Sequence, residues 1–378
     1  MLKLKRIGVS MVAYLGLSAC GEQASPDDLS ASLDQALQSL VEQEPLVPGV
    51  LLAVRYGDKT YEGVVGSRSF DGEPLEAGDL FRIASVTKTF TSAAVFVAAE
   101  QGYFELETTI DLLLDPASLS LLDAGGYDPS EITVYQLLTH TAGIFDYTEA
   151  ESFYAILEDD PTHRWTREEQ LTLAMEEGAP LNAPGESYHY GDTHYILLGA
   201  ILERSFDTSL AEVFRLALQY DQWSQGDTFL ESLEDPADGG ALDRLTHPYI
   251  GETDTRDWDP SWDLYGGGGL VSSAEDLVHF GDALFGLNGQ LFASQETLES
   301  FLEMPEVGLE AFSGMDGGAG INRFYYGDLT CYAGLGFFTT WLVHCPELDL
   351  TFAATENQSE PDAADRIVEL VIEAALTL

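Results

Sequence analysis

The order of helical and strand-like periodicities restricts the fold of this 378-residue chain more than any other feature. Asp28 to Glu44 repeats apolar residues at a helical interval, through Leu29, Leu33, Leu37, Leu40 and Val41, and stops before the proline-bearing PLVPG. Strand-like VLLAVRYGDKTYEGVVG follows, with Gly57-Asp58 as its hairpin turn and Lys59 exposed beside it. A second helical rhythm runs after Thr87 through Phe90, Ala94, Val95 and Val97 to a stop at Gly102. From there to about residue 265 the chain reads mostly helical, with loops rich in Asp, Pro and Gly at 115–131 and 233–263. A helix over Ala274–Leu284, strand-like FFTTWLVHC and LDLTFAATEN, and a closing helix from Asp362 to Leu376 complete the chain. Helix, strands, helical insert, strands, helix describes one α/β unit interrupted by an all-α one. The expected α/β part is 28–95 plus 266–378, and the helical part is 96–265. No internal repeat or low-complexity tract breaks this plan.

Sixteen Lys plus Arg face 65 Asp plus Glu, a formal net charge of −49. A polyanion is repelled by such a surface, which excludes nucleic acid as a partner. Lysine is nearly abolished, with Lys3, Lys5, Lys59 and Lys88 the full set. Two explanations fit the acidity. One is adaptation to strong salt, where hydrated carboxylates keep the protein soluble and counterions screen their repulsion. The other is an ordinary acidic enzyme. With 45% hydrophobic positions the chain can bury the core of one large or two modest domains.

Residues 1–19 join a basic start (Lys3, Lys5, Arg6) to an apolar run from Ile7 to Leu17, the layout of an export signal and too short to span a bilayer permanently. Leu17 is too large for the small-x-small site of ordinary signal cleavage. Leu17-Ser18-Ala19-Cys20 is instead similar to the bacterial lipobox, which implies a lipidated Cys20, a lipidated tether over 20–27 and a place on the outer membrane or periplasmic face of a bacterial envelope. Plain secretion is the alternative. Cleavage leaves 13 basic against 65 acidic residues, a net of −52. In an oxidising compartment Cys331 and Cys345 can pair, since the apolar, β-branched stretches around them suit adjacent strands; two buried free thiols are the alternative.

The sharpest chemical signal is FRIASVTK, residues 81–88, where strand-like sequence gives way to helix. Ser85 lies three positions before Lys88 and shares its helix face, so the amine can reach the hydroxyl and, if deprotonated by burial, accept its proton. A chain that has almost eliminated lysine but keeps one here favours function over a salt-bridged surface helix. Tyr190 sits in the loop PGESYHYGDTHYILLG, residues 184–199, just before an apolar helix. A phenol there acts as base or proton relay if the ammonium lowers its pKa, and as a packing residue otherwise. His189 and His194 do not share a helix face and no H-E-x-x-H or C-x-x-C occurs, so neither metal nor cofactor is expected. Asp254, Asp257, Asp259 and Asp263 lack the spacing of an EF-hand loop and read as solvated loop acids.

Five segments in order, DLFRIASVTKTFTSAAV, LLTHTAG (137–143), YGDTHYILLGAILE (190–203), GGGGLVSSAEDLVHF (266–280) and PELDLTFAATENQ (346–358), resemble the serine β-lactamase-like hydrolases. That group holds class C β-lactamases, D-Ala-D-Ala carboxypeptidases, D-aminopeptidases and related esterases. The resemblance covers roughly residues 45–375. It implies an antiparallel sheet flanked by helices with a helical subdomain inserted. It also implies a serine hydrolase acylated on Ser85, with Lys88 as activator and Tyr190 opening a Tyr-x-Asn element that shuttles protons; with the leader at 1–19, the expected protein is an exported serine hydrolase. The backbone N–H groups of Ser85 and Phe337, the latter just after Gly336, would form the oxyanion hole. His140 would hold its loop.

Two departures matter. Tyr190-Gly191-Asp192 places a carboxylate where the family has an amide; facing the substrate and near Lys88, Asp192 is expected to raise the lysine pKa and move proton work toward Tyr190. In YAGLGFFTT, residues 332–340, Gly334 stands where relatives carry Lys or His, and Leu335 where Ser or Thr usually follows. The cation that holds a substrate carboxylate is lost unless Arg323 reaches in. Small esters, amides or peptides are therefore expected over β-lactams, and Gly334→His is expected to improve carboxylate substrates. The competing class is a non-catalytic binding lipoprotein that retains the fold. No feature sets the oligomeric state.

Overall fold

The computed structural model describes residues 26–377 apart from 224, 237–238, 287–290, 313 and 361–364, so the leader 1–19 and Cys20 lie outside the described residues. Of the expected tether only Pro26 and Asp27 are described, and they already belong to helix α1 (Pro26–Gln43). Proline fits there because a helix's first N–H groups have no partner to lose. The hairpin β1 (Gly49–Tyr56) and β2 (Lys59–Gly66) follows, and β3 (Phe81–Arg82) leads to α2 (Thr87–Glu100). Six helices come next: α3 (Pro116–Ala124), α4 (Val134–Leu138), α5 (Glu151–Asp159), α6 (Arg167–Glu177), α7 (Asp192–Phe206) and α8 (Leu210–Ala217). Short strands β4 (Phe229–Leu230), β5 (Tyr249–Ile250), β6 (Thr253–Asp254) and β7 (Leu270–Ser272) precede α9 (Ala274–Phe285) and α10 (Gln295–Phe301). The chain closes through β8 (Asp316–Gly317), β9 (Asn322–Tyr326), β10 (Leu329–Gly336), β11 (Thr340–Cys345), β12 (Leu350–Thr355) and α11 (Arg366–Leu376).

The main sheet is antiparallel throughout and runs β2-β1-β12-β11-β10-β9-β8, so the N-terminal hairpin completes a sheet built by the C-terminal third. Strand alternation divides its side chains between two cores. Val50, Leu52 and Val54 of β1 face one layer with Leu33 and Leu37 of α1 and Val371 of α11. Leu51 and Ala53 face the other, with Phe90 of α2 and Phe280 of α9, whose rings stack at 3.6 Å between centroids. That second core continues into the helical insert, so α2 is buried from Thr87 to Ala98.

Three buried features mark the sheet. Arg55 of β1 donates from Nε to Asp282 of α9 (2.6 Å), from Nη2 to Thr351 (3.0 Å) and from Nη1 to Asp349 (2.9 Å), tying helix to sheet. Cys331 and Cys345 are joined by a disulfide that staples β10 to β11. Glu356, just after β12, is fully buried, and neither carboxyl oxygen has a hydrogen-bond partner among the described residues. Burial, with the nearby Glu44 adding to it, holds its carboxyl well above the usual range.

Three sequence expectations are corrected. Residues 115–131 are not all loop: Asp115 accepts hydrogen bonds from the N–H groups of Ala117 and Ser118, Pro116 takes the first position, and α3 forms. The helical part ends at Ala217; beyond it lie β4, β5 and β6, with β4 and β3 flanking β7 in a second sheet. Two-residue strands carry no period to read. FFTTWLVHC enters its strand only at Thr340, because Thr339 takes a left-handed φ of 53° in the turn after β10.

Candidate active site

Ser85 lies in a single 3-10 turn, Ala84–Val86, between β3 and α2. Ala84 before it has φ 46°, a left-handed conformation that costs a residue with a Cβ and recurs where a functional side chain must be aimed. The turn sets Ser85 at the N-terminal end of a 14-residue helix, where the helix dipole favours developing negative charge.

Lys88, one turn on, is buried. Its Nζ donates to Ser85 Oγ (2.9 Å), to the Gly267 carbonyl (2.7 Å) and to Asp192 Oδ1, which accounts for all three ammonium protons. Burial pulls the lysine pKa down, but the charge of Asp192, with Tyr190 and Asp263 behind it, outweighs burial and leaves it raised. Lys88 is therefore a resting ammonium, the direction the carboxylate at 192 predicts. Asp192, expected to face the substrate, lines the cavity while one oxygen holds Lys88.

Tyr190 lies beside this ammonium, its ring centroid 5.0 Å from Lys88 Nζ, on the same cavity wall as Ser85. Here a sequence expectation fails. Burial raises the phenol more than Lys88 lowers it, and the pKa is pushed up to about 12, so Tyr190 rests as a neutral phenol. The loop is held from behind: the Gly191 N–H donates to His140 Nδ1 (3.2 Å), and the His140 ring stands 4.6 Å from that of Tyr190. Burial, then His194 and Lys88, keep His140 well below its ordinary pKa, so it is neutral and able to accept. His194 is likewise lowered by burial, to about 4.

Asp146 accepts the N–H groups of Asp192 (3.0 Å) and Thr193 (3.2 Å), capping α7 and fixing where Asp192 points. The glycine run 266–269 permits a similar approach from the other side. A Cβ at Gly267 would lie 3.0 Å from Asp192 Oδ1, and one at Gly268 would lie 2.1 Å from Asp263 Oδ1. Asp263 is thus no solvated loop acid: it lines the cavity and accepts no hydrogen bond among the described residues. Burial, reinforced by the charge of Asp192, pushes Asp263 up to about 7, and the same two causes push Asp146 to about 7.

The third wall is the end of β10. Gly336 lets the strand reach the turn of Ser85, since a Cβ there would lie 2.3 Å from the Ile83 carbonyl. Phe337 follows on the cavity wall, and no hydrogen bond engages its N–H among the described residues. Gly334 faces α2, where a Cβ would lie 2.7 Å from Thr89 Oγ1, which itself donates to the Gly320 carbonyl at 2.7 Å. The space of the lost cation is filled, so the expected gain from Gly334→His is withdrawn. Arg323 does not replace it, because its guanidinium is held by Asp316 at 2.7 Å and it does not line the cavity.

Ser85, Lys88, Tyr190, Asp192, Gly336 and Phe337 therefore converge on one cavity of about 330 Å3. Asp146, Glu149, Trp262 and Asp263 line it too, and sequence reasoning missed them. Asp263 had one available signal, its place three residues before four consecutive glycines. The others had none.

A sequence profile of the beta-lactamase family matches residues 33–376. Among curated relatives, a penicillin-binding protein of Bacillus subtilis is 27% identical over 173 residues, 45% of this chain and 35% of its own length. Esterase EstB of Burkholderia gladioli is 30% identical over 190 residues, 48% of this chain and 47% of the esterase. The chain thus spans half or less of the length of these two relatives. The solved D-amino acid amidase of Ochrobactrum anthropi, complexed with L-phenylalanine amide, superposes with a TM-score of 0.76 at 20% identity, covering 92% of this chain and 98% of that one. The fold is accordingly β-lactamase-like, and the profile's span over nearly the whole chain shows that this protein belongs to the beta-lactamase family.

Proposed function

We propose that the protein is an exported serine hydrolase that passes through an acyl-enzyme on Ser85 and acts on esters or amides that carry no carboxylate rather than on β-lactams. The observation that carries this reading is the contact of Ser85 Oγ with Lys88 Nζ, at 2.9 Å, with the Tyr190 ring 5.0 Å from the same Nζ, at the edge of a cavity. Ser85 Oγ attacks the acyl carbonyl, and the N–H groups of Ser85 and Phe337 receive the oxyanion. The serine proton enters the Lys88–Tyr190 pair and leaves on the departing alkoxide or amine as the C–O or C–N bond breaks. Water then repeats the sequence against the acyl-serine, releasing the acid and restoring the Ser85 hydroxyl.

The resting pair is an ammonium beside a neutral phenol and must lose one proton before it can take that of Ser85. The acylation rate should therefore climb with pH across the neutral range. The filled corner at Gly334 and the four carboxylates on the cavity walls support a preference for substrates without a carboxylate. Export and lipidation at Cys20 rest on the segment LSAC at 17–20, with the disulfide of Cys331 and Cys345 in support.

Labelling by a fluorophosphonate, with the adduct located by mass spectrometry, tests the reading. An adduct on Ser85 that is absent from Ser85→Ala is expected. A protein that takes no label and turns over neither short acyl esters nor amides is the non-catalytic alternative.

A further inference from the structure

The cavity is unbalanced in charge. Asp146 and Asp192 have partners, the N–H groups opening α7 and the Lys88 ammonium. Glu149 faces His189 at 3.4 Å. Asp263 is different: its carboxyl is pressed against the glycine run, lines the same cavity as Ser85, and accepts no hydrogen bond from any described residue. Lys88 cannot serve it, since its three protons already go to Ser85, Gly267 and Asp192. Beside Asp263 the wall is aromatic, with Trp262 and Phe337 edge to face at 6.1 Å between centroids.

We infer that Asp263 is a specificity residue that receives a primary ammonium carried by the substrate, whose aromatic or large apolar side chain rests on Trp262 and Phe337. The inference rests on the cavity being the acyl site and narrows the substrate class to cationic, aminoacyl-type esters or amides. An unpaired carboxylate on a cavity wall is costly to leave without a donor, and an ammonium supplies up to three. Aromatic faces add attraction for the same cation. A substrate carboxylate would meet four acids on the cavity wall, where the one basic side chain among the described lining residues, His189, faces Glu149.

The test is protection of the full protein against fluorophosphonate labelling by three ligands of one shape: phenethylammonium, 2-phenylethanol and phenylacetate. Half-protection by the cation is expected at a concentration roughly ten- to a hundredfold below that of the alcohol, the range of a charge-assisted bond, with phenylacetate weakest. Asp263→Asn should bring cation and alcohol within about threefold, whereas Asp254→Asn, outside the cavity, should keep the wild-type preference. Equal protection by cation and alcohol in the unmodified protein overturns the inference, and so does a preference that survives in Asp263→Asn. The three-ligand comparison needs no variant, so misfolding of Asp263→Asn leaves it standing. If Ser85 takes no label, the hydrolase reading fails by itself, and calorimetric binding of the same ligands still decides the role of Asp263.

Discussion

Arg55 and Lys88 are both buried cations held by carboxylates, yet they do opposite things with their donors. Arg55 directs its fork to Asp282 of α9 and to Asp349 and Thr351 at the start of β12, and so holds α9 against the sheet. Lys88 has Asp192 and the Gly267 carbonyl as anchors and turns its remaining proton to Ser85. The difference follows from the side chains. A guanidinium stays charged and grips in a plane, whereas an ammonium can give up a proton and be tuned by what surrounds it. In a chain with 16 basic residues, one buried cation secures the architecture and the other is available to chemistry.

Substitutions at the two positions sharpen that contrast. The largest effects belong to the nucleophile's side: Ser85→Ala should abolish turnover and labelling, and Lys88→Ala should slow acylation at least about a hundredfold, with Lys59→Ala as an unaffected control in steady-state kinetics. Arg55→Met should instead leave Asp282 as an uncompensated buried charge and cost about 3–5 kcal/mol in a denaturant melt. If Lys88→Met lost as much stability as Arg55→Met, the two sites would not differ as argued. Asp192→Asn removes the charge that raises Lys88, so the rising limb of log kcat/KM should move to lower pH; an unmoved limb would show that Asp192 does not set the lysine. Gly334→His should overpack against Thr89, costing roughly 1–3 kcal/mol, without improving cephalosporin hydrolysis. The smallest effect is that of salt. Screening shortens from about 10 Å at 0.1 M to 3 Å at 1 M, so Tm should rise over that interval if the net charge of −49 is a salt adaptation.

The layers of the fold were legible because long elements carry their period in the open. VLLAV can be buried on both faces only in a central strand, and β1 is one, between β2 and β12. The segment of Ser85 and Lys88 was legible because one short stretch, a 3-10 turn running into α2, brings the two together by itself. Asp146 was not, since a loop places it against α7 and no local pattern records a contact between residues 46 apart; Asp263 had only the glycine run a few residues on as its signal. Charge inventory misled at Tyr190 for a related reason. Sequence shows the neighbouring ammonium but not the burial that outweighs it. At Gly334 it showed the lost cation but not the Thr89 hydroxyl filling its place.

Glu356 gives the molecule a thermodynamic signature of its own. With its carboxyl held well above the ordinary range by burial and by Glu44, with Asp365 adding to this and Arg366 opposing, the folded protein keeps a proton there that an unfolded chain surrenders above about pH 4.3. Folding at neutral pH is therefore proton uptake, and this carboxyl favours the native state less as pH rises from the unfolded toward the folded value. Melting must hand that proton to the buffer. The calorimetric enthalpy of unfolding then includes the buffer's own heat of protonation, and should differ between Tris and phosphate in the native protein by more than it does in Glu356→Gln.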